Sequence, residues 1–179
     1  MDFVSGKDAG TTFEKLFERQ CQLAGLWAEP NHTRAKRGWK GKLQELKSNL
    51  DYTVIARDGR IGFFDCKTFD EPHFTFSRIP EHQRDLAQRY NEWGVPAGFV
   101  VWFRPINQVC FYPGWLLAGR GPGTRFLPLD GVPLGTWGRF DPLLLFSRSP
   151  MGSPSGIVGS VWQQYAAPSI NSQSSPTPT

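Results

Sequence analysis

The sequence predicts an α/β protein in which a mixed β-sheet is flanked by helices. Three observations support this fold class: an apolar pattern with helical spacing near the N-terminus, two strand-like runs joined by turn residues, and a second helix followed by a nearly continuous apolar strand. Helices and strands in this order pack as layers around a core. With 179 residues, of which 39% are hydrophobic and 20% charged, the chain can build such a core, which excludes wholesale disorder.

The first helix is predicted to run from Thr12 to about Ala24. Phe13, Phe17 and Cys21 recur at the spacing of one helical face, so this face is expected to be buried. Gly25 follows directly and supplies a stop signal. We therefore expect an amphipathic helix that packs on the sheet.

Two short strands are predicted next, Tyr52–Ala56 and Ile61–Lys67. The segment between them, Arg57–Arg60, contains an Asp-Gly pair, which is typical of hairpin turns. The two strands are therefore expected to pair in an antiparallel hairpin.

The length of the hairpin loop decides which side chains share a face of the sheet. A two-residue turn would place Asp51 opposite Cys66, on the other face from Asp65. A three-residue loop that ends on a left-handed Gly59 would instead place Asp51 opposite Asp65. We predict the three-residue loop, because glycine is the residue type that such a bulge prefers.

The second half of the domain is predicted to continue the sheet. A helix is expected to open at Pro80 and to run to Trp93, because proline is favoured at the first helical position and Gly94 follows the last. The apolar run Ala97–Arg104 is expected to be a central strand that is covered on both faces. Val109–Tyr112 is a further candidate strand, and Trp115–Ala118 a short helix.

Charge and composition divide the chain into two parts. The 20 Lys and Arg residues exceed the 16 Asp and Glu residues, for a net charge of +4, but residues 147–179 contribute only Arg148. These last residues include nine Ser and five Pro, so we expect a flexible Ser/Pro-rich tail after a domain of residues 1–146. Within the domain, residues 29–50 form a polar and basic segment.

Several classes of protein are excluded. The chain has no run of about 18 apolar residues, so we expect no transmembrane helix and no membrane partner. The N-terminus lacks the apolar run of a secretory signal. Cys21, Cys66 and Cys110 are widely spaced and odd in number, which argues against a disulfide scaffold or a zinc ribbon and favours the reducing cytoplasm.

A set of polar residues in the predicted hairpin indicates a catalytic site. Asp65 and Lys67 are two positions apart on a strand, so their side chains leave the same face. If Asp51 lies opposite Asp65, two carboxylates about 5 Å apart repel each other unless a cation compensates them. Oxygen ligands suit Mg²⁺ or Mn²⁺, which could polarise a phosphoryl oxygen, while a lysine stabilises the developing charge. This arrangement indicates phosphodiester hydrolysis.

Two residues on the predicted helices are further candidates. Gln83 shares a helical face with Leu86 and Tyr90, so it is expected to point inward, where a polar side chain needs a partner. Glu14 lies on the first helix and is open to two interpretations. It could belong to the site, or it could form a capping box with Thr11 at the start of the helix.

Together these residues resemble the nucleases of the PD-(D/E)xK superfamily, and in particular the RecU-type Holliday junction resolvases. Similarity to archaeal-type resolvases lies in the order of the acidic helix, the Asp and the carboxylate-x-Lys pair. The segments that resemble the superfamily are Gly10–Glu14, Ser48–Tyr52, Gly62–Lys67, Phe74–Gln83 and Gly98–Arg104.

The resemblance covers about Gly6 to Tyr112, and it departs from the family pattern at two positions. Leu50 stands in place of the proline of the motif. In the carboxylate-x-Lys pair, the acidic residue is Asp65 rather than Glu. Neither change removes a metal ligand. The resemblance implies a restriction-endonuclease-like fold and a homodimeric endonuclease that resolves four-way DNA junctions with Mg²⁺ or Mn²⁺.

The resemblance also implies a role for each site residue. Asp51, Asp65 and Glu14 would bind the metal, Lys67 would activate water, and Gln83 would position the water, a ligand or the scissile phosphate. The basic segment, residues 29–50, would correspond to the family's insertion, which enters the junction; its basic residues would neutralise phosphates and its tryptophan would stack on a base. The candidate DNA-binding residues are Lys15, Arg34, Lys36, Arg37, Trp39, Lys40, Lys42 and His82.

Other functions stay open at this point. A restriction-like or repair nuclease would keep the fold and the chemistry and change the substrate. A non-catalytic DNA-binding protein that assists recombination would keep the basic segment and treat the acidic residues as structural. The basic segment could also be a solvated loop.

Overall fold

The structure, a computed structural model, describes residues 6–31, 35–37, 43–45 and 50–147, with side chains over 9–31 and 50–147. The helices are α1 (Gly6–Leu23), α2 (Glu81–Glu92) and the single turn α3 (Gly114–Leu117). Short 3₁₀ helices span Phe76–Arg78, Arg104–Ile106, Pro128–Asp130 and Pro142–Phe146. The strands are β1 (Trp27–Pro30), β2 (Ala35–Arg37), β3 (Leu43–Glu45), β4 (Tyr52–Ile55), β5 (Ile61–Phe69), β6 (Phe74–Thr75), β7 (Ala97–Phe103), β8 (Gln108–Pro113), β9 (Arg125–Phe126), β10 (Val132–Thr136) and β11 (Arg139–Phe140).

Within the described residues, the main sheet has seven strands in the order β1-β4-β5-β7-β8-β10-β11. Strands β5 and β7 pair in parallel and all other neighbours are antiparallel, so the sheet is mixed. Strand β7 is the middle strand and is buried along almost its whole length, which confirms the predicted central strand. Two short pairs, β2-β3 and β6-β9, lie outside the main sheet.

The side chains of the sheet alternate between two apolar clusters, one on each face. Phe13 and Phe17 of α1 belong to the same cluster as Phe64 of β5. Ala87 of α2 belongs to the other cluster, together with Phe99 of β7. Alternate residues of one strand point to opposite faces, so each helix covers a different face of the sheet.

The hairpin has the predicted three-residue loop. The Ala56 N–H donates to Arg60 O at 2.8 Å, and the Gly59 N–H donates back to Ala56 O at 2.9 Å. Gly59 has a φ of +86°, the left-handed conformation that favours glycine. Tyr52 therefore lies opposite Phe64, which is the register that we predicted.

Two helix boundaries differ from the prediction. Helix α1 begins at Gly6, well before Thr12, so Thr11 lies inside the helix and not at its cap. The capping-box interpretation of Glu14 is therefore wrong. Pro80 is the residue before α2 and not its first helical residue.

Three strands of the main sheet were not predicted. Strand β1 lies at the edge of the sheet, where Pro30 is tolerated because an edge strand has no second neighbour to bond. Strand β10 contains Pro133 at an irregularity of its pairing with β8, and β11 has only two residues. Proline interrupts β1 and β10, β10 also contains Gly135, and β11 is too short to show the alternation that predicts a strand.

Some predictions lie partly or wholly outside the described residues. The tail is described only at Ser147, and the segment 29–50 only at residues 29–31, 35–37, 43–45 and 50. In the part of the chain that the structure describes, no helix is both long and apolar enough to cross a membrane. Cys21, Cys66 and Cys110 are buried free thiols.

Candidate active site

A buried carboxylate, a lysine and a glutamine form the centre of the candidate site. Asp65 on β5 is 0% exposed. Its Oδ2 lies 2.6 Å from Lys67 Nζ, and its Oδ1 accepts a hydrogen bond of 2.8 Å from Gln83 Nε2. Both carboxylate oxygens of Asp65 are thus held by residues that the sequence had indicated.

The fold brings these three side chains together from two elements. Asp65 and Lys67 leave the same face of β5, opposite Phe99 and Val101 of the parallel strand β7. Gln83 lies in the first turn of α2, which covers this face, and is only 4% exposed. The predicted inward position of Gln83 is confirmed.

Asp51 joins the site from the residue before β4. Its backbone O accepts a hydrogen bond of 2.7 Å from the Asn31 N–H, and the Asn31 side chain donates to Leu50 O at 2.8 Å. The Asp51 Oδ2 accepts from the Cys66 N–H at 3.3 Å, which holds the side chain against β5. Asn31 is a residue that sequence reasoning missed, because it follows a strand that was not predicted.

Burial changes the acidity of Asp65. It raises the pKa of Asp65 from 3.8 to about 7; the Lys67 ammonium opposes this rise, and the nearby Asp51 carboxylate adds to it. The raised pKa means that ionised Asp65 is costly to bury.

Glu14 on α1 is a further carboxylate of the site, close enough to Asp51 and Lys67 to interact with their charges. Burial raises the pKa of Glu14, followed by repulsion from Asp51, while Lys67 lowers it. One helical turn later, Glu18 accepts a hydrogen bond of 2.8 Å from the Tyr52 hydroxyl of β4. Helix α1 is thereby tied to the hairpin that carries Asp51.

The donor set is one that a hard divalent cation prefers. Asp51, Asp65 and Glu14 offer carboxylate oxygens, and the buried Gln83 Oε1 has no hydrogen-bond partner among the described residues. Over the same residues, no three His, Cys, Asp or Glu side chains converge closely enough to hold an ion as they stand. The oxygens of Asp51, Asp65 and Glu14 are thus of the type that Mg²⁺ and Mn²⁺ accept, and an ion would require these side chains to come closer together.

Asp65→Asn is expected to stabilise the metal-free protein above neutral pH. The Asp65 pKa is higher in the folded than in the unfolded chain, so its favourable contribution is full below about pH 4 and is lost as the pH rises through about 7. The uncharged variant avoids this loss, which is about 4 kcal/mol in unfolding free energy once the pH is above the folded pKa. Urea unfolding of both proteins in EDTA at pH 5 and pH 8 measures the difference. A difference that does not grow with pH contradicts the account.

Two of the predicted DNA-binding side chains are described. Lys15 is exposed on α1, next to Glu14, and His82 is half-buried in the first turn of α2, next to Gln83. Lys36 and Arg37 lie on β2, of which only the backbone is described. Outside the described residues lie Arg34, Trp39, Lys40 and Lys42.

Comparison with known proteins supports the fold. No protein-family model matches the chain, and no curated protein matches it. Among solved structures, the chain is similar to Hjc, a Holliday junction resolvase from the archaeal hyperthermophile Archaeoglobus fulgidus. The TM-score is 0.50 at 13% sequence identity, and the match covers 69% of this chain and 95% of that chain. The predicted α/β fold, a restriction-endonuclease-like mixed sheet flanked by helices, is confirmed.

Proposed function

We propose that this chain is a metal-dependent endonuclease that resolves four-way DNA junctions. The observation that carries the proposal is the buried Asp65 carboxylate, held by Lys67 on one oxygen and by Gln83 on the other, with the Asp51 carboxylate beside it. The similarity in fold to a Holliday junction resolvase supports the choice of substrate. The choice of a junction as the substrate also follows the resemblance of the Phe74–Gln83 segment to RecU-type resolvases, which is part of the proposal.

Asp51 and Asp65, with Glu14 beside them, would hold Mg²⁺ or Mn²⁺. The bound ion would polarise a phosphoryl oxygen and lower the pKa of a water molecule. Burial serves this role, because a desolvated carboxylate gains more from a cation than a solvated one does. A bound cation would then offset the cost of keeping Asp65 ionised.

Lys67 and Gln83 would act on the reacting groups. The Lys67 ammonium is fixed beside Asp65 and would stabilise the charge that builds up on phosphorus-bound oxygens as water attacks. The new bond forms between the water oxygen and phosphorus while the bond from phosphorus to the leaving sugar oxygen breaks. Gln83 orients Asp65 through Nε2, and its Oε1 can accept a hydrogen bond from the attacking water.

Resolution of a four-way junction requires two incisions on strands that are related by a twofold axis. A homodimer with C2 symmetry brings two identical sites to these strands, so we include a dimer in the proposal. The basic segment of residues 29–50 would contact phosphates at the centre of the junction. Trp39 in that segment would stack on an unpaired base.

Cleavage of three DNA substrates of equal length tests the substrate assignment. We expect wild-type protein with Mg²⁺ to cut a synthetic four-way junction and to leave a linear duplex and a flap largely intact. Equal cutting of all three would retain a nuclease and contradict the resolvase assignment. Junction binding without any cutting would favour the accessory DNA-binding protein.

A further inference from the structure

A short ribbon that leads into α2 presents polar and basic side chains outward. It is made of β6 and β9, which pair with Thr75 opposite Arg125, and of the 3₁₀ helix that follows β6. We call the side chains of Thr75, Ser77, Arg78 and Arg125 the outer ribbon. Thr75, Ser77 and Arg78 lie in the segment Phe74–Gln83, which carries part of the family resemblance, whereas Arg125 lies beyond it.

The inner side of the ribbon is anchored in the core. Phe74 and Phe126 lie opposite each other and are both buried, with ring centroids 5.0 Å apart. The Phe74 ring also packs on Tyr112, with centroids 4.9 Å apart. Because neighbouring residues of a strand point to opposite sides, Thr75 and Arg125 face away from this core.

The outward side offers several hydrogen-bond donors at once. The hydroxyls of Thr75 and Ser77 lie 3.3 Å apart, and Arg125 and Arg78 are exposed. The Arg78 guanidinium carbon lies 5.4 Å from the centroid of the Phe69 ring, which limits its motion. Hydroxyl and guanidinium groups are among the side-chain groups that contact phosphate oxygens in protein–DNA complexes.

The nearby carboxylates do not neutralise these arginines. Asp70 is paired with Arg104 at 2.7 Å, and Glu71 lies 3.1 Å from His73. Among the described residues, neither Arg78 nor Arg125 forms an ion pair. The outer ribbon therefore carries net positive charge.

A rigid connection joins the outer ribbon to the active site. Arg84 of α2 lies over the Phe76 ring at 3.8 Å and donates hydrogen bonds to Phe76 O and Ile79 O. The chain continues from Ile79 through Pro80 into the first turn of α2, where Gln83 contacts Asp65. Movement of the outer ribbon relative to Asp65 is restricted by these contacts.

We propose that the outer ribbon is a second phosphate-binding surface, which holds the DNA strand next to the scissile phosphate. The inference rests on the proposed nuclease function and deepens it, because it assigns DNA contacts outside the basic segment of residues 29–50. Two arginines and two hydroxyls, connected through Ile79 and Pro80 to the helix that carries Gln83, would guide the backbone of the cleaved strand toward the site. The contacts are with phosphates, so they carry no sequence preference.

Junction binding as a function of salt tests the outer ribbon. We compare wild type, Arg78→Gln with Arg125→Gln in one protein, and the control Arg139→Gln, which alters an exposed arginine at the edge strand β11. Dissociation constants are measured in EDTA by fluorescence anisotropy. The double variant is expected to bind about tenfold more weakly near physiological salt, with a salt slope smaller by about 2. The control is expected to match wild type.

The result that overturns the proposal is a double variant whose affinity and slope equal those of Arg139→Gln. Arg125→Lys keeps the charge and is expected to bind like wild type, which separates loss of charge from misfolding. Wild-type protein that binds the junction but never cuts it would contradict the nuclease function alone. The salt dependence of binding, compared between the double variant and Arg139→Gln, would still test whether the outer ribbon contacts phosphates. Wild-type protein that does not bind the junction would contradict both.

Discussion

Asp65→Asn is expected to lower the rate of junction cleavage by about 10³-fold or more, because it removes the central carboxylate of the proposed metal site. Asn keeps the size of the side chain and can still hydrogen-bond Gln83, so the fold should persist. Binding to the junction in EDTA should be retained, because the variant removes a negative charge that repels phosphates. Rates measured at saturating enzyme, together with affinities, give both quantities.

Asp85→Asn is the matched control, since it makes the same chemical change at an exposed position of α2. It should cut the junction at the wild-type rate. If Asp65→Asn cuts as fast as this control, the acidic residues are structural, and the accessory DNA-binding protein becomes the better account.

Lys67→Ala is expected to lower the single-turnover rate by about 10²-fold, with little change in junction affinity. The Lys67 ammonium contacts Asp65 and would stabilise charge that develops only in the transition state, so its loss should appear in the rate. High enzyme concentration should not restore the activity. By contrast, it should restore the activity of the variants of the outer ribbon, which lose affinity.

The control for Lys67→Ala is Arg139→Ala, which removes an exposed cation from β11. This edge strand is four strands away from β5, which carries Lys67. It should retain full activity. A Lys67→Ala protein that regains the wild-type rate at saturating concentration would contradict a role in the chemical step and would make Lys67 a binding residue.

The centre of the site could be predicted from sequence because its geometry follows from local rules. Gly59 specifies a left-handed position, that position fixes a three-residue loop, and the loop sets the register of the hairpin. The register brings Asp51 to the side of Asp65. Helical spacing placed Gln83 inward in the same way.

Glu14 shows where a local pattern is insufficient. The residues before Thr12 carry no apolar repeat, so the pattern cannot show where α1 begins. A helix that starts at Thr12 would make Thr11 a cap, whereas a helix that starts at Gly6 places Thr11 in its interior. The folded structure decides between these two starting points, because the burial of Ala9 shows that the early part of α1 packs against the rest of the protein.

The parts that could not be predicted depend on contacts between distant segments. Asn31 holds Asp51, but its position follows from the pairing of β1 with β4 across the basic segment. Strands β6 and β9 have two residues each and meet because Phe74 and Phe126 share one core. Such short strands carry no periodic signal, so the outer ribbon has no sequence signature.

Metal-dependent cleavage of a synthetic four-way junction tests the central claim most directly. Wild-type protein is incubated with a strand-labelled junction in Mg²⁺ and in EDTA, and the positions of the cuts are mapped on all four strands. The account predicts paired cuts at symmetric positions on two opposite strands, in Mg²⁺ only. An intact junction in Mg²⁺ and in Mn²⁺, with wild-type protein bound to it, would contradict the account.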